Sequence, residues 1–146
     1  MRHAQSGLTL IEMLVVLTIL AMAASLAPAV MAGLEGSRLR AASDQLIALL
    51  RTTREDAVRT GRATAFVIDP GTRRYALRDG GPARPLPAAI GAVAIEPVAL
   101  RQPDGLLRIL FRPDGSATAA RLTIRGGTNR IAIVVDWLTG AVRRDG

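Results

Sequence analysis

The sequence predicts an α+β fold in which one long N-terminal helix packs on antiparallel β-sheet. Three observations carry that prediction. Residues 13–34 contain no charged side chain, an uninterrupted run of 22. Residues 35–61 then place apolar side chains at spacings of three and four, the period of a helix. From residue 63 onward the period falls to two, with Gly, Pro, Asp and Asn clusters between the runs, the pattern of strands joined by hairpins. A length of 146 residues has room for one domain and an appendage.

The uncharged run is the first element. About 20 apolar residues at a rise of 1.5 Å cross a bilayer, so it is long enough to span one. Secretory h-regions are usually about 7–15 residues, so the run is long for a simple signal, although Ala27-Pro28-Ala29 offers small residues for cleavage. Glu12 stands just before it. A carboxylate inside an apolar helix costs about 2.5–3.5 kcal/mol, less near the interface. The acid therefore predicts a partner that offsets this cost. Pro28 should kink the helix, and Gly33 and Gly36 should loosen it.

The second element continues the helix. Leu39, Ala42, Leu46, Leu49, Leu50, Ala57 and Val58 form one apolar stripe suited to hold a sheet. Thr60-Gly61 ends it, with Arg59 suited to the negative end of the dipole.

Seven strands follow, predicted at 63–68, 73–77, 93–100, 106–111, 117–125, 130–136 and 141–144. Asp69-Pro70-Gly71-Thr72, Pro113-Asp114-Gly115, Gly126-Gly127-Thr128-Asn129 and Leu138-Thr139-Gly140 supply turns. The proline-rich stretch 80–87 reads as a loop. Strands do not alternate with helices, so the layers are those of an α+β chain.

Composition narrows the chemistry. The net charge is +7 and all 19 basic residues are arginine, scattered rather than blocked; a solvated surface is favoured over a dedicated nucleic-acid site. There is no cysteine, and the only histidine is His3. A disulfide, a thiolate nucleophile and a cysteine metal site thus lack their parts, and a zinc site or a hydrolase triad becomes very hard to build if His3 is lost with the leader that the resemblance below implies. Asp69, Asp104 and Asp114 lie beside Pro and Gly, where aspartate caps backbone amides. The reading is a protein that is not an enzyme, with no cofactor and no metal.

Two stretches carry a family resemblance. Gly7 followed by Leu8-Thr9-Leu10-Ile11-Glu12 and the apolar run resembles the class III leader of type IV prepilins and type II secretion pseudopilins; Leu8 stands where that family usually has Phe. The segment 111–116 (F-R-P-D-G-S) and the later I-V-V-D-W-L-T-G-A-V resemble the end of the H-type minor pseudopilins and the related FimT/FimU-type minor pilins. Ala141 replaces that family's frequent arginine.

The resemblance implies a pilin-like fold with four parts: a leader at 1–7 that is removed, a membrane or filament-core helix at 8–34, its amphipathic continuation at 35–61, and a periplasmic β domain at 62–146. A prepilin peptidase would cut between Gly7 and Leu8 and methylate the new amine of Leu8. Glu12 would then dock on the amine of a neighbouring subunit. At 4 Å such a pair attracts by roughly 4 kcal/mol at an effective dielectric of 20, before desolvation is subtracted.

The implied function is that of a minor pseudopilin of a type II secretion system. It is anchored in the bacterial inner membrane by a single pass, with a cytoplasmic N-terminus. Its partners would be the prepilin peptidase, major and minor pseudopilins, inner-membrane lipid and exported proteins. Loop arginines favour the opposite orientation, with Arg38, Arg40, Arg51 and Arg54 after the run and Arg2 before it. A folded C-terminal domain, however, translocates largely regardless of charge. The alternative is a minor type IV pilin that binds DNA during uptake through Arg121, Arg125, Arg130, Arg143 and Arg144. Such phosphate contacts weaken steeply with salt.

Overall fold

The computed structural model describes residues 9–97 and 102–145, without the side chains of 26–32. The chain divides into two compact units, Met1–Leu34 and Glu35–Gly146. Helix α1, Leu10–Thr60, contributes to both and is helical through Pro28, Gly33 and Gly36. In the first unit its described side chains all lie exposed.

The second unit is the folded domain. Here α1 buries Leu39, Ala42, Leu46, Ile47, Leu50 and Ala57. Two of the predicted stripe positions differ: Leu49 is half-buried and Val58 is exposed. Val58 follows buried Ala57 by one residue, about 100° around the helix, which turns it off the stripe. Ser43 and Thr53 take core-facing places instead. Each hydroxyl is satisfied within the helix, donating to the Arg40 carbonyl at 2.8 Å and the Leu49 carbonyl at 3.0 Å respectively. Gly61 ends the helix at φ +65, the left-handed conformation suited to a C′ glycine.

Eight strands follow: β1 Thr64–Asp69, β2 Arg74–Ala76, β3 Arg84–Pro85, β4 Ala92–Glu96, β5 Leu107–Phe111, β6 Ala120–Gly126, β7 Asn129–Val135 and β8 Val142–Asp145. They form two four-stranded antiparallel sheets, in the orders β3-β2-β1-β5 and β4-β6-β7-β8. The stretch read as a loop holds β3, which pairs with β2 through Arg74↔Pro85 and Tyr75↔Arg84. Pro85 is tolerated because β3 is an edge strand. β2 starts one residue later than predicted, after Arg73 at φ +56. β6 starts at Ala120; Ala117 makes only an isolated bridge to Phe111. The third predicted strand, 93–100, is β4 and ends at Glu96, and residues 98–101 lie outside the described ones.

Inward residues of both sheets meet the helical stripe in one core. Phe66↔Ile109 and Ile68↔Leu107 are cross-strand pairs in the first sheet, and Leu122↔Ile133 and Ala120↔Val135 in the second. All eight are buried with Leu39, Leu46 and Leu50. Phe66 stacks on Tyr75 with ring centroids 5.8 Å apart.

Candidate functional site

Three places matter: the start of α1, the outer face of the second sheet, and a junction between two turns. Gly7 and Leu8, the predicted cleavage and methylation positions, lie outside the described residues. Thr9 precedes the first helical residue, and its Oγ1 accepts from the Glu12 amide at 3.3 Å. Thr9 is thus the N-cap of α1. Glu12 sits in the first turn, where the helix dipole favours an acid. Its carboxylate makes no hydrogen bond or ion pair among the described residues. Among those residues no helix is long and apolar enough to cross a membrane; the uncharged run 13–34 includes the side chains of 26–32.

The five arginines of the alternative reading are not one cluster. Arg121 pairs with Asp145, and Arg144 pairs with Asp44 on α1. Arg125 and Arg130 stand directly opposite each other on β6 and β7, an arrangement of like charges that is mildly destabilising. Arg143 lies opposite Val134. Among the described residues Arg125, Arg130 and Arg143 make no ion pair. The Gly126-Gly127 turn between β6 and β7 faces α1: a Cβ on Gly126 would lie 3.1 Å from Leu39 Cδ1, and one on Gly127 would lie 2.4 Å from Glu35 Oε2.

The junction was not legible in the sequence. Arg54 Nε donates to two carbonyls, Thr139 O at 2.9 Å and Gly115 O at 3.1 Å. It thereby ties the β5–β6 and β7–β8 turns to α1. A Cβ on Gly140 would lie 2.3 Å from Gly115 O and 2.8 Å from Arg54 Nε, so glycine is required where these elements converge. Only the glycine turns hinted at this; the arginine is 61 and 85 residues from its acceptors.

Aspartates build the turns themselves. Asp136 Oδ1 accepts from the amides of Leu138 and Thr139 and from the Thr139 hydroxyl. Asp69, Asp104 and Asp114 likewise accept from backbone amides two or three residues on. These bonds hold their carboxyls below the usual carboxylate range: the Thr72 hydroxyl acts first at Asp69, Arg108 at Asp104, Ser116 at Asp114 and the Thr139 amide at Asp136. Among the described residues no His, Cys, Asp and Glu group could hold a metal ion.

The family model for type II transport protein GspH matches residues 42–140. This chain belongs to the GspH family. The match takes in the helical stripe from Ala42 onward, strands β1 to β7 and the Arg54 junction. The prokaryotic N-terminal methylation motif matches residues 2–28. The type II secretion system protein H of Xanthomonas campestris pv. campestris is 37% identical, over 97% of this chain and 84% of the relative. Among solved structures, the type IV minor pilin FimU of Pseudomonas aeruginosa matches with a TM-score of 0.56 at 14% identity, over 77% of this chain and 91% of that one. The minor pseudopilin EpsH from the Type 2 Secretion System of Vibrio cholerae matches with a TM-score of 0.55 at 15% identity, over 75% and 97%. Both likenesses establish the pilin-like fold of this GspH-family chain.

Proposed function

We infer that this chain is a minor pseudopilin, a structural subunit of a type II secretion pseudopilus that is assembled from the inner membrane to support export of folded proteins. The observation that carries the reading is the 37% identity to a type II secretion system protein H over almost the whole chain. The fold does not separate secretion from pilus, because FimU and EpsH match equally well.

The parts of the subunit follow. Residues 1–7 are a leader that prepilin peptidase removes between Gly7 and Leu8, after which Leu8 is methylated; the N-terminal methylation motif supports this. Residues 8–34 anchor the chain in a single pass with the N-terminus cytoplasmic, then enter the filament core. The exposure of Leu14 and Leu17 supports a segment that other molecules cover. Residues 35–61 carry the periplasmic domain, 62–146, on their buried stripe. Glu12 docks on the amine of a neighbouring subunit, a role supported by its unpartnered carboxylate. The chain is a substrate of the peptidase and a partner of other pseudopilins, and it is not an enzyme.

A deletion strain scored for enzyme secretion, DNA uptake and twitching tests the reading. Lost secretion with normal uptake is expected; normal secretion with lost uptake would move the protein to a pilus. Glu12→Ala should be cleaved normally but enter filaments poorly, as read by N-terminal mass and filament content. Normal incorporation would remove the docking role. The pilus alternative keeps one observation, the unpaired Arg125 and Arg130, and salt-sensitive retention on DNA is what it requires.

A further inference from the structure

The end of the folded domain where α1 enters it gathers cations that its carboxylates do not offset. The turn between β6 and β7 closes on this end of α1: a Cβ on Gly127 would run into the Glu35 carboxylate, and one on Gly36 would lie 3.8 Å from Asn129 Oδ1. The 87–91 loop joins them, with the Gly91 amide donating to the Arg125 carbonyl at 2.7 Å. Arg73 Nη2 reaches the same loop and donates to the Ile90 carbonyl at 2.7 Å. Arg125 and Arg130 flank the turn, and Arg38 and Arg40 stand exposed on the helix beside it.

The acids of these elements are few. Asp44 pairs with Arg144. Asp69 accepts from Gly71 and Thr72 within its own turn, and Arg73 offsets its charge. Glu35 remains against Arg38, Arg40, Arg125 and Arg130, an excess of three positive charges. Those four guanidinium groups make no hydrogen bond or ion pair among the described residues. The far end differs. Arg54 lies 19 residues along α1 from Glu35, about 28 Å at 1.5 Å per residue. There the charges balance, with Glu55 next to Arg54, Asp114 beside Arg112 and Asp136 beside Arg143.

Position and chemistry together select a ligand. Glu35 directly follows the uncharged run, whose 22 residues make about 33 Å of helix, against a hydrocarbon layer of about 30 Å with about 5–7 Å of headgroup on either side. Arg38 and Arg40 follow Glu35 by three and five residues, about 4.5 and 7.5 Å, the depth of that headgroup layer. Between the arginines the exposed surface is small and uncharged: Gly127 and Thr128 in the turn, Ala88 and Gly91 in the loop. It offers no ring on which a nucleobase could stack, which favours a lipid surface over DNA. Arg125 and Arg130 stand directly opposite each other, a repulsion that a phosphate between them would relieve.

We propose that Arg38, Arg40, Arg125 and Arg130 form a seat for the phosphates of anionic lipid headgroups, which holds the domain on the periplasmic face of the inner membrane before the subunit enters a filament. This rests on the reading that residues 8–34 anchor the chain.

The chain has no cysteine, so one introduced thiol reports alone. Full-length chain with Thr128→Cys, carrying a fluorophore, is placed in phosphatidylcholine nanodiscs with or without phosphatidylglycerol, each doped with a lipid that bears a nitroxide on its headgroup. Quenching should be several-fold stronger with phosphatidylglycerol and should fall back at about 1 M salt, where the screening length is about 3 Å. A label at Leu138→Cys, on the far end, should not respond. An arginine near an anionic surface strengthens binding about fivefold. Arg125→Ser/Arg130→Ser should therefore lower the ratio of seated to unseated domain at least about tenfold, without lowering the thermal midpoint. Equal quenching in the two lipids, or a double variant that seats as well as its parent, would overturn the proposal. So would release by millimolar inorganic phosphate at constant ionic strength, the mark of a free-phosphate site. Retention of a DNA duplex that the double variant loses while its lipid quenching persists would also overturn it, and would give the face to the pilus alternative. A chain that leaves the nanodisc in both lipids would sink the anchor reading itself, whereas a retained chain with lipid-blind quenching sinks the seat alone.

Discussion

The two halves of α1 use the same residue types to opposite ends. In the first, Leu10, Ile11, Leu14 and Leu17 are between 60% and 86% exposed; in the second, Leu39, Leu46 and Leu50 are at 0%. Burial in the second half is set by period: apolar residues recur on one stripe, and two sheets cover it. The first half is apolar all round, and a helix of that kind is covered by lipid or by other chains. Half of α1 thus stabilises the domain, and under the proposed function the exposed half is left for partners. Substitutions in the two halves should therefore separate stability from assembly.

The sharpest test pairs Leu50→Ala with Leu17→Ala. Removing a fully buried leucine leaves a cavity and costs about 2–5 kcal/mol. Leu50→Ala should lower the denaturant midpoint of the domain accordingly, while Leu17→Ala should leave it unchanged and reduce filament content. Equal effects on unfolding would break the division.

Gly140→Ala probes the junction that ties the two turns to α1. Gly140 has φ +61, which costs an alanine about 1–3 kcal/mol, and the new Cβ would clash with the Gly115 carbonyl. Gly105 is the control, with φ +81 and nothing within 4 Å of its would-be Cβ. Gly105→Ala should carry the conformational cost only and destabilise less. Matching losses in thermal midpoint would mean that the Arg54 junction is slack.

The stripe was legible because burial and period agree at Leu39, Ala42, Leu46, Leu50 and Ala57. The turns were legible because Asp, Pro and Gly act locally, as the bonds of Asp69 and Asp114 bear out. Thr53 escaped because its hydroxyl is satisfied inside the helix, so a polar residue can occupy a core position. β3 escaped because a proline can sit on an edge strand, which local pattern does not distinguish from a loop. Arg54 escaped for a different reason: its acceptors are brought to it by strand order, which no local spacing encodes.

Acid should weaken the turns before the stripe. Asp69, Asp104, Asp114 and Asp136 titrate below the ordinary carboxylate value of about 3.9. Their contribution is therefore fully present above that value and is lost as pH falls through the depressed ones. Thermal midpoints should stay flat with respect to these groups from pH 8 to about 5 and fall below about pH 4. Asp136→Asn should lower stability at neutral pH and lessen the acid-dependent drop. An unchanged drop would remove Asp136 from the groups responsible.

The smallest effect belongs to the outer face of the second sheet. Arg125 faces Arg130 across the β6–β7 pair, and like charges so placed are destabilising, whereas opposite charges contribute about 0.2–1 kcal/mol. Arg125→Glu should therefore raise the thermal midpoint slightly at low salt. Both side chains are exposed, so the gain should shrink at high ionic strength, where the screening length falls to about 3 Å. The same substitution removes a cation on which the DNA alternative depends. If stability rises and secretion is untouched, the opposed arginines are a tolerated surface defect. A loss of function despite the gain in stability would show that this face binds an anion, and the repulsion within the pair would be the cost of keeping two cations together.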